Sequence, residues 1–242
     1  MAIVLDGTNG ITNVDGSAAA PAFKNQDTNS GLSGSADQIV VSTGGSERFR
    51  VASAGQLGVA GANYGTDGQV LTSTGASSAP AWEAAGGIAN ACSFRVTANW
   101  NPADGWTDIT SNWEVNDTAA YSTLGTAVSE SSGIFSFPST GFWYIHYGGM
   151  ADYNGSNVSR VDLELQTTHN NSTYTAHTLL SGSIGYISTN SYVTLTGAGL
   201  IDVDNVSNVK CKLRTETSAD TTWHGSSANN QTWITFIRLA ST

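Results

Sequence analysis

Apolar and polar residues alternate with a period of two along much of the chain, a pattern that indicates β-strands. In the second part of the chain the alternation and the intervening turn residues predict nine strands. They span residues 88–98, 107–115, 133–137, 141–149, 158–168, 173–180, 191–201, 207–216 and 231–239. Their spacing predicts an all-β domain of antiparallel strands, built as a sandwich or a closed barrel.

Two of these segments carry bulky side chains on both faces. Segment 141–149 places Phe142, Tyr144 and His146 on one face and Trp143, Ile145 and Tyr147 on the other. Segment 231–239 places Trp233, Thr235 and Ile237 on one face and Ile234 and Phe236 on the other. One face of each sheet in an antiparallel sandwich normally meets water. The two segments therefore predict a second buried surface, formed either by another subunit or by a loop of the same chain.

Segment 158–168 shows the ordinary one-sided pattern. Val161, Leu163 and Leu165 are predicted to face inward, and Asp162, Glu164 and Gln166 to face outward.

The first 87 residues have a different composition, with 15 of the 27 glycines but only four of the 22 aromatic residues. Such a segment has too little apolar mass for a compact core of its own. Gly44-Gly45, between two β-rich runs, is a two-residue hairpin signal. A strand pair this poor in apolar residues needs copies of itself to pack against, so this part also predicts homo-oligomerisation.

Charge limits the classes of partner. Only 12% of the residues are charged and the net charge is −10, so we expect no nucleic-acid partner and no anionic membrane partner. No apolar run approaches 18 residues, and Asp6 ends the apolar start, so neither membrane insertion nor a signal peptide is predicted. Cys92 and Cys211 are expected to be small buried hydrophobes in a chain made in a cytoplasm.

The sequence predicts no enzyme, no cofactor and no metal. Motifs for zinc hydrolases, phosphate-binding loops and serine nucleophiles are missing from the sequence, and the twelve acids after residue 87 show no pair placed on neighbouring strands. Asp202, Asp204 and Asn205 could ligate calcium, and a turn between strands explains them as well.

The stretch "SSGIFSFPSTGFWYIHY", residues 131 to 147, resembles the signature of the complement-type globular head and tumour necrosis factor superfamily. "SNWEVNDTAAY" and "WITFIRLA" resemble two further segments of that superfamily, whereas its usual Gly-Asp turn is not evident. The resemblance implies a ten-stranded jelly roll assembled as a tight homotrimer, with aromatic residues at the axis. The residues expected to be divided between the core and this trimer interface are Phe142, Trp143, Tyr144, Tyr147 and Phe236.

"STGGSERFRVASAGQLGVAG" and "YGTDGQVLTSTGASSAPAWEAAG" resemble segments of bacteriophage tail fibres. This resemblance implies a virion fibre, made in the host cytoplasm and joined to other virion proteins at its N-terminus. It assigns residues 1–35 to virion attachment, residues 36–87 to a Gly-rich extended trimeric β stalk, and residues 88–242 to a jelly-roll head.

The topology that the superfamily implies brings loops 99–106, 150–157 and 217–230 to the distal tip of the head. Rings beside amides and carboxylates suit a glycan, so the tip is predicted to bind a host surface glycan or protein. The candidate receptor-binding residues are Trp100, Trp106, Asp152, Tyr153, Asn154, Trp223 and His224. The alternatives are rings that plug the end of the barrel, a structural decoration protein without receptor binding, and a polysaccharide depolymerase.

Overall fold

The computed structural model describes the chain except residues 1–3, 7–9, 13–15, 25, 36, 120, 154–157, 186–190, 218–220 and 242. The chain divides into two compact units, Met1–Gly86 and Gly87–Thr242. All the regular elements in the described ranges are β-strands. No helix there could span a membrane.

The described residues of the first unit form nine short strands. They are β1 (Val4–Asp6), β2 (Gly10–Thr12), β3 (Phe23–Lys24), β4 (Gly31–Ser35), β5 (Gln38–Thr43), β6 (Ser46–Val51), β7 (Leu57–Val59), β8 (Gln69–Thr72) and β9 (Ala81–Ala84). β3 to β7 form one antiparallel sheet in sequence order, and β1–β2 and β8–β9 are separate pairs. Because β4 pairs with β5, this sheet contains strands from both sides of the predicted segment boundary between residues 35 and 36.

The predicted hairpin at Gly44-Gly45 is confirmed. Thr43 pairs with Ser46, and both glycines have positive φ, 57° and 74°. Two successive left-handed residues define a type I′ turn, which matches the twist of the flanking strands and favours glycine.

Twelve strands are formed by the part of the second unit that the structure describes. They are β10 (Ala91–Val96), β11 (Gly105–Asp108), β12 (Trp113–Val115), β13 (Ser129–Ser131), β14 (Ile134–Ser136), β15 (Gly141–Tyr153), β16 (Val158–Thr168), β17 (Thr175–Ile184), β18 (Ser191–Val203), β19 (Lys210–Thr217), β20 (Thr221–Trp223) and β21 (Thr232–Ala240).

These strands form two antiparallel sheets that pack as a sandwich. The first sheet has the order β12-β10-β21-β15-β18, with β20 beside β15, and the second has the order β13-β14-β19-β16-β17, with β11 beside β19. The chain passes from one sheet to the other repeatedly after β14, which is the connection pattern of a jelly roll. The predicted all-β, antiparallel jelly-roll class is confirmed.

Aromatic rings fill the space between the two sheets. Phe135 lies 5.2 Å from both Phe94 and Phe236, measured between ring centroids, and Phe137 lies 5.2 Å from Trp143. Cys92 and Cys211 are buried free thiols, as predicted. Burial raises the pKa of both thiols, since a thiolate would lose its hydration in the core.

The expectation of a single strand over 107–115 was wrong. Residues 105–108 join the second sheet and residues 113–115 join the first, so the chain changes sheets between them. Asn112 takes a left-handed conformation at the change, with φ of 62°, which asparagine tolerates better than most residues.

Candidate assembly and binding surfaces

The rings of β15 divide between the sandwich core and its outside. Trp143 and Tyr147 are fully buried, while Phe142 and Tyr144 are 39% and 37% exposed. Phe236 on β21 is also fully buried. Of the five residues expected at the core and the axis, three therefore lie in the core of the single chain, and only Phe142 and Tyr144 can contact another subunit.

The exposed rings belong to a larger apolar surface on the first sheet. Tyr144 pairs with Leu200 on β18 and with Ile237 on β21, and Leu200 is 53% exposed. His146 lies beside Tyr144, and its ring centroid is 4.6 Å from that of Trp233. We call this surface the outer face; its residues are Phe142, Tyr144, His146, Leu200, Trp233 and Ile237.

Charged side chains lie at the ends of the outer face. Asp202 pairs with Phe142 at one end, and Arg95 pairs with Trp233 at the other. The Arg95 side chain is 2% exposed and is neutralised by Glu114, 2.6 Å away. The middle of the outer face therefore presents rings and aliphatic groups, with His146 as its one titratable group besides the phenol of Tyr144.

A groove of about 300 Å³ runs along one side of the outer face. Its lining includes Trp233, Thr235 and Ile237 on β21, and also Tyr121, which is 53% exposed. Its lining extends the apolar surface of the first sheet from β21 to β10.

Several of the predicted tip residues do meet at one end of the sandwich. Trp100 and Trp223 exchange two backbone hydrogen bonds, of 3.0 Å and 2.9 Å, and their rings stack with centroids 5.9 Å apart. Trp223 is fully buried, because its ring packs over Gly149, which leaves space for it. The prediction that Trp223 stacks on sugars was therefore wrong, because its ring is not accessible. The rings of Trp100 and Trp223 instead close the end of the sandwich.

Asp152 and His224 form a partly exposed pair near this end. Their Oδ1 and Nε2 atoms are 3.1 Å apart, without the alignment of a hydrogen bond. Tyr192, which is 52% exposed, pairs with Asp152 across β15 and β18, and its ring centroid lies 5.6 Å from that of His224. Tyr153, one residue further along, packs instead against the core.

Trp106 lies elsewhere, on the outside of the second sheet. The Arg214 guanidinium covers one face of its ring, 4.1 Å from the centroid, and also bonds Glu164. Trp106 is 37% exposed, so one part of its ring is accessible. Asn154 lies outside the described residues. The seven predicted receptor residues therefore do not form one patch.

Two acids that the sequence did not pair are neighbours on the second sheet. Asp162 on β16 lies opposite Glu216 on β19, and the Arg160 guanidinium contacts both carboxylates at 2.5 and 2.9 Å. The two carboxylates hold the pKa of Arg160 above its ordinary value, chiefly through the hydrogen bond to Asp162. Because Asp162 is fully buried, this is an ion cluster of the sheet, whereas glycoside hydrolysis needs carboxylates that reach the substrate.

Three polar residues of β16 were expected to face water. Asp162, Glu164 and Gln166 do lie outside the sandwich, but they are at most 5% exposed, because neighbouring side chains such as Arg214 cover them.

Among the candidate calcium ligands, Asn205 caps a turn: its side-chain oxygen accepts a hydrogen bond of 2.9 Å from the Ser207 amide. In the described ranges no three His, Cys, Asp or Glu side chains cluster as metal ligands.

Sequence reasoning missed two exposed residues of β18, Tyr192 and Leu200. The signal was present in the alternation of segment 191–201, where every second side chain from Tyr192 to Leu200 faces outward. It was not recognised because threonine and alanine occupy the positions between them.

Comparison with known proteins gives similarity in structure only. No family model and no curated protein matches the sequence. A structure of murine APRIL at pH 8.0 is similar over 62% of this chain and 98% of that one, with 11% identity and a TM-score of 0.46. A second, at pH 8.5, has 10% identity over the same shares and a TM-score of 0.45. Eiger TNF from S. frugiperda matches 63% of this chain and 93% of its own, with 11% identity and a TM-score of 0.43. At these values no activity or partner follows from the similarity.

Proposed function

We propose that this chain is the subunit of a homotrimeric virion fibre, in which the second unit is a trimeric head and the first unit a stalk joined to the particle. The observation that carries the proposal is the outer face. Its central pair, Tyr144 and Leu200, is one-third to one-half exposed in the single chain. An apolar surface of this kind on a sheet normally belongs to an interface.

The number of subunits and the setting rest on the sequence. The "SSGIFSFPSTGFWYIHY" motif implies three copies around an axis, and the segments between residues 42 and 86 imply a tail-fibre setting. A cyclic trimer uses a heterologous contact, in which two different patches of each subunit meet. The part of the outer face formed by Phe142, Tyr144 and Leu200 on β15 and β18, and the groove along β21 and β10, offer two such patches.

Leu200→Asp tests the interface against a matched control. The substitution removes about 2 kcal/mol of apolar burial and buries a carboxylate at a cost of several kcal/mol more, three times in each trimer. We expect trimers of wild type and monomers of Leu200→Asp in sedimentation. Leu179, which is 48% exposed on β17 of the other sheet, provides the control. Leu179→Asp should stay trimeric; equal behaviour of the two variants would contradict the proposal.

The head is proposed to attach the particle to a host surface glycan or protein. Trp106 with Arg214 and Tyr192 with His224 are two examples of accessible rings beside polar groups, and such pairs suit sugars. Trp106→Ala and Tyr192→Ala are expected to reduce binding to a panel of bacterial surface glycans, each with an unchanged melting temperature.

The burial of Trp223 favours a second candidate, a decoration protein without receptor binding. It removes one of the rings that suggested a glycan site. No binding by wild type would favour this candidate, whereas unchanged binding by both alanine variants would contradict the assignment of Trp106 and Tyr192 to the binding site. Release of reducing ends from the glycans would instead indicate a depolymerase.

A further inference from the structure

The sheet formed by β3 to β7 has two different faces. On one face Ser33, Val40 and Ser42 are buried. The segment Gly16–Ala18 lies beside Ser33 and Val40 on this face. Arg50 also points to this side, where it bonds Gln38 and Glu47. This face is therefore covered by the unit's own chain and carries its ion pair.

The opposite face is apolar and mostly exposed; Val59, which shares this face through its pairing with Phe49, is buried at the β7 end. Phe23, Leu32, Ile39, Val41, Val51 and Leu57 lie on it and are 37–59% exposed. Strand register aligns them in two rows: Phe23 pairs with Leu32, which pairs with Val41, and Ile39 pairs with Val51, which pairs with Leu57. We call these six residues the stalk face.

Charges of the described residues lie only at the border of the stalk face. Arg48 bonds the Thr43 hydroxyl at 2.7 Å, and Lys24 lies near the same end of the sheet. The two rows between them contain no donor or acceptor side chain that could bind a sugar or a phosphate. The surface thus suits an apolar partner with a polar border, as protein interfaces have.

The exposed area limits what the partner can be. Six side chains at about half exposure present roughly 450 Å² of apolar surface, as much as the largest patch of an ordinary monomer. A stable interface buries about 800 Å² on each partner, so the stalk face alone would hold a separate protein only weakly. Copies of the chain that are already joined elsewhere meet at high effective concentration and need no such area.

We infer that the stalk face packs against the stalk faces of the other two copies of this chain, so that three single sheets form one common core. This inference rests on the proposed trimer, and it adds a second contact surface that is separate from the outer face of the head. A single-layered sheet needs a second layer whenever the chain folds, and sister chains are the partners always present at synthesis.

Thiol labelling of Ile39→Cys tests the inference in the full-length protein. Ile39 is the most exposed residue of the stalk face, at 59%, and the native thiols Cys92 and Cys211 are buried. Ser53→Cys, in the exposed turn between β6 and β7, is the control. We expect maleimide to label Ile39→Cys at least about tenfold more slowly than Ser53→Cys. Mild oxidation should cross-link Ile39→Cys chains to one another but should not cross-link Ser53→Cys chains. Val51→Cys, on the same face as Ile39→Cys, should be labelled slowly and cross-linked in the same way.

The mass of the same samples separates this inference from the proposed function. Slow labelling of Ile39→Cys in a trimer supports the inference. Equal labelling rates in a trimer overturn it and leave the proposed head trimer intact. A monomeric mass overturns the proposed function itself, and slow labelling in that monomer would show that another part of the same chain covers the stalk face.

Discussion

Replacing Arg95 should destabilise the head more than replacing any of its partners. Arg95 lies on β10 and is 1% exposed. Its guanidinium bonds Glu114 at 2.6 Å, Asn116 at 2.9 Å and Asp117 at 2.7 Å, and also the Thr118 hydroxyl. It therefore fastens the whole turn after β12 to the first sheet.

The cost of Arg95→Met follows from the exposure of these partners. The side chains of Glu114 and Asp117 are 33% and 77% exposed, so each bond to them contributes at most about 1 kcal/mol. The bond to Asn116, which is 5% exposed, contributes about 1.5–3 kcal/mol. Methionine retains the packing of the aliphatic stem, so we expect a loss of about 3 kcal/mol. Asp117→Asn should cost less than about 1 kcal/mol.

Urea unfolding at one fixed subunit concentration measures both variants, since the stability of an oligomer depends on concentration. Light scattering should first show that the mass in the native state is unchanged. If Arg95→Met lay within about 0.5 kcal/mol of wild type, or if Asp117→Asn cost as much as Arg95→Met, the stabilising role assigned to Arg95 would be wrong.

Two further predictions concern the core. Burial raises the pKa of Tyr147 to about 12, so the folded state keeps this proton longer than the unfolded state does. The contribution of Tyr147 to stability should therefore be complete below about pH 10 and fall by up to about 2.7 kcal/mol as the pH rises to 12. Cys92 and Cys211, whose pKa values are also raised, should begin to add to the loss at about pH 9. Chemical unfolding should show that the stability of Tyr147→Phe decreases less between pH 10 and pH 12 than that of wild type. An equal decrease would contradict the raised pKa of Tyr147. Gly149→Ala places a Cβ 2.6 Å from the buried Trp223 ring and should cost about 1–3 kcal/mol. Gly87→Ala, with no atom near its Cβ, should be nearly neutral in the same thermal melts.

Local sequence predicted which rings of β15 share a face, because the period of a strand is fixed at two. It could not decide which face lies inside the sandwich. That choice depends on strands far away in sequence: the Tyr147 hydroxyl, for example, donates to the Thr178 carbonyl at 3.1 Å. This contact forms only after the sheets have packed.

The tip was harder to predict, because its local pattern is short. Residues 221–223 were expected in a loop, yet they pair with the end of β15 and carry Trp223 into the core. The consecutive glycines 148 and 149 were the available signal, since a side chain at either position would crowd its neighbours. Asp162 shows the same limit: only the register between β16 and β19 brings it beside Glu216.

The molecular mass of the full-length chain in solution tests the central claim most directly. Each chain has a mass of 25.1 kDa, so light scattering should give 3 × 25.1, or about 75 kDa, and a constant value on dilution. A value of about 25 kDa at every concentration would contradict the claim that the outer face joins three subunits.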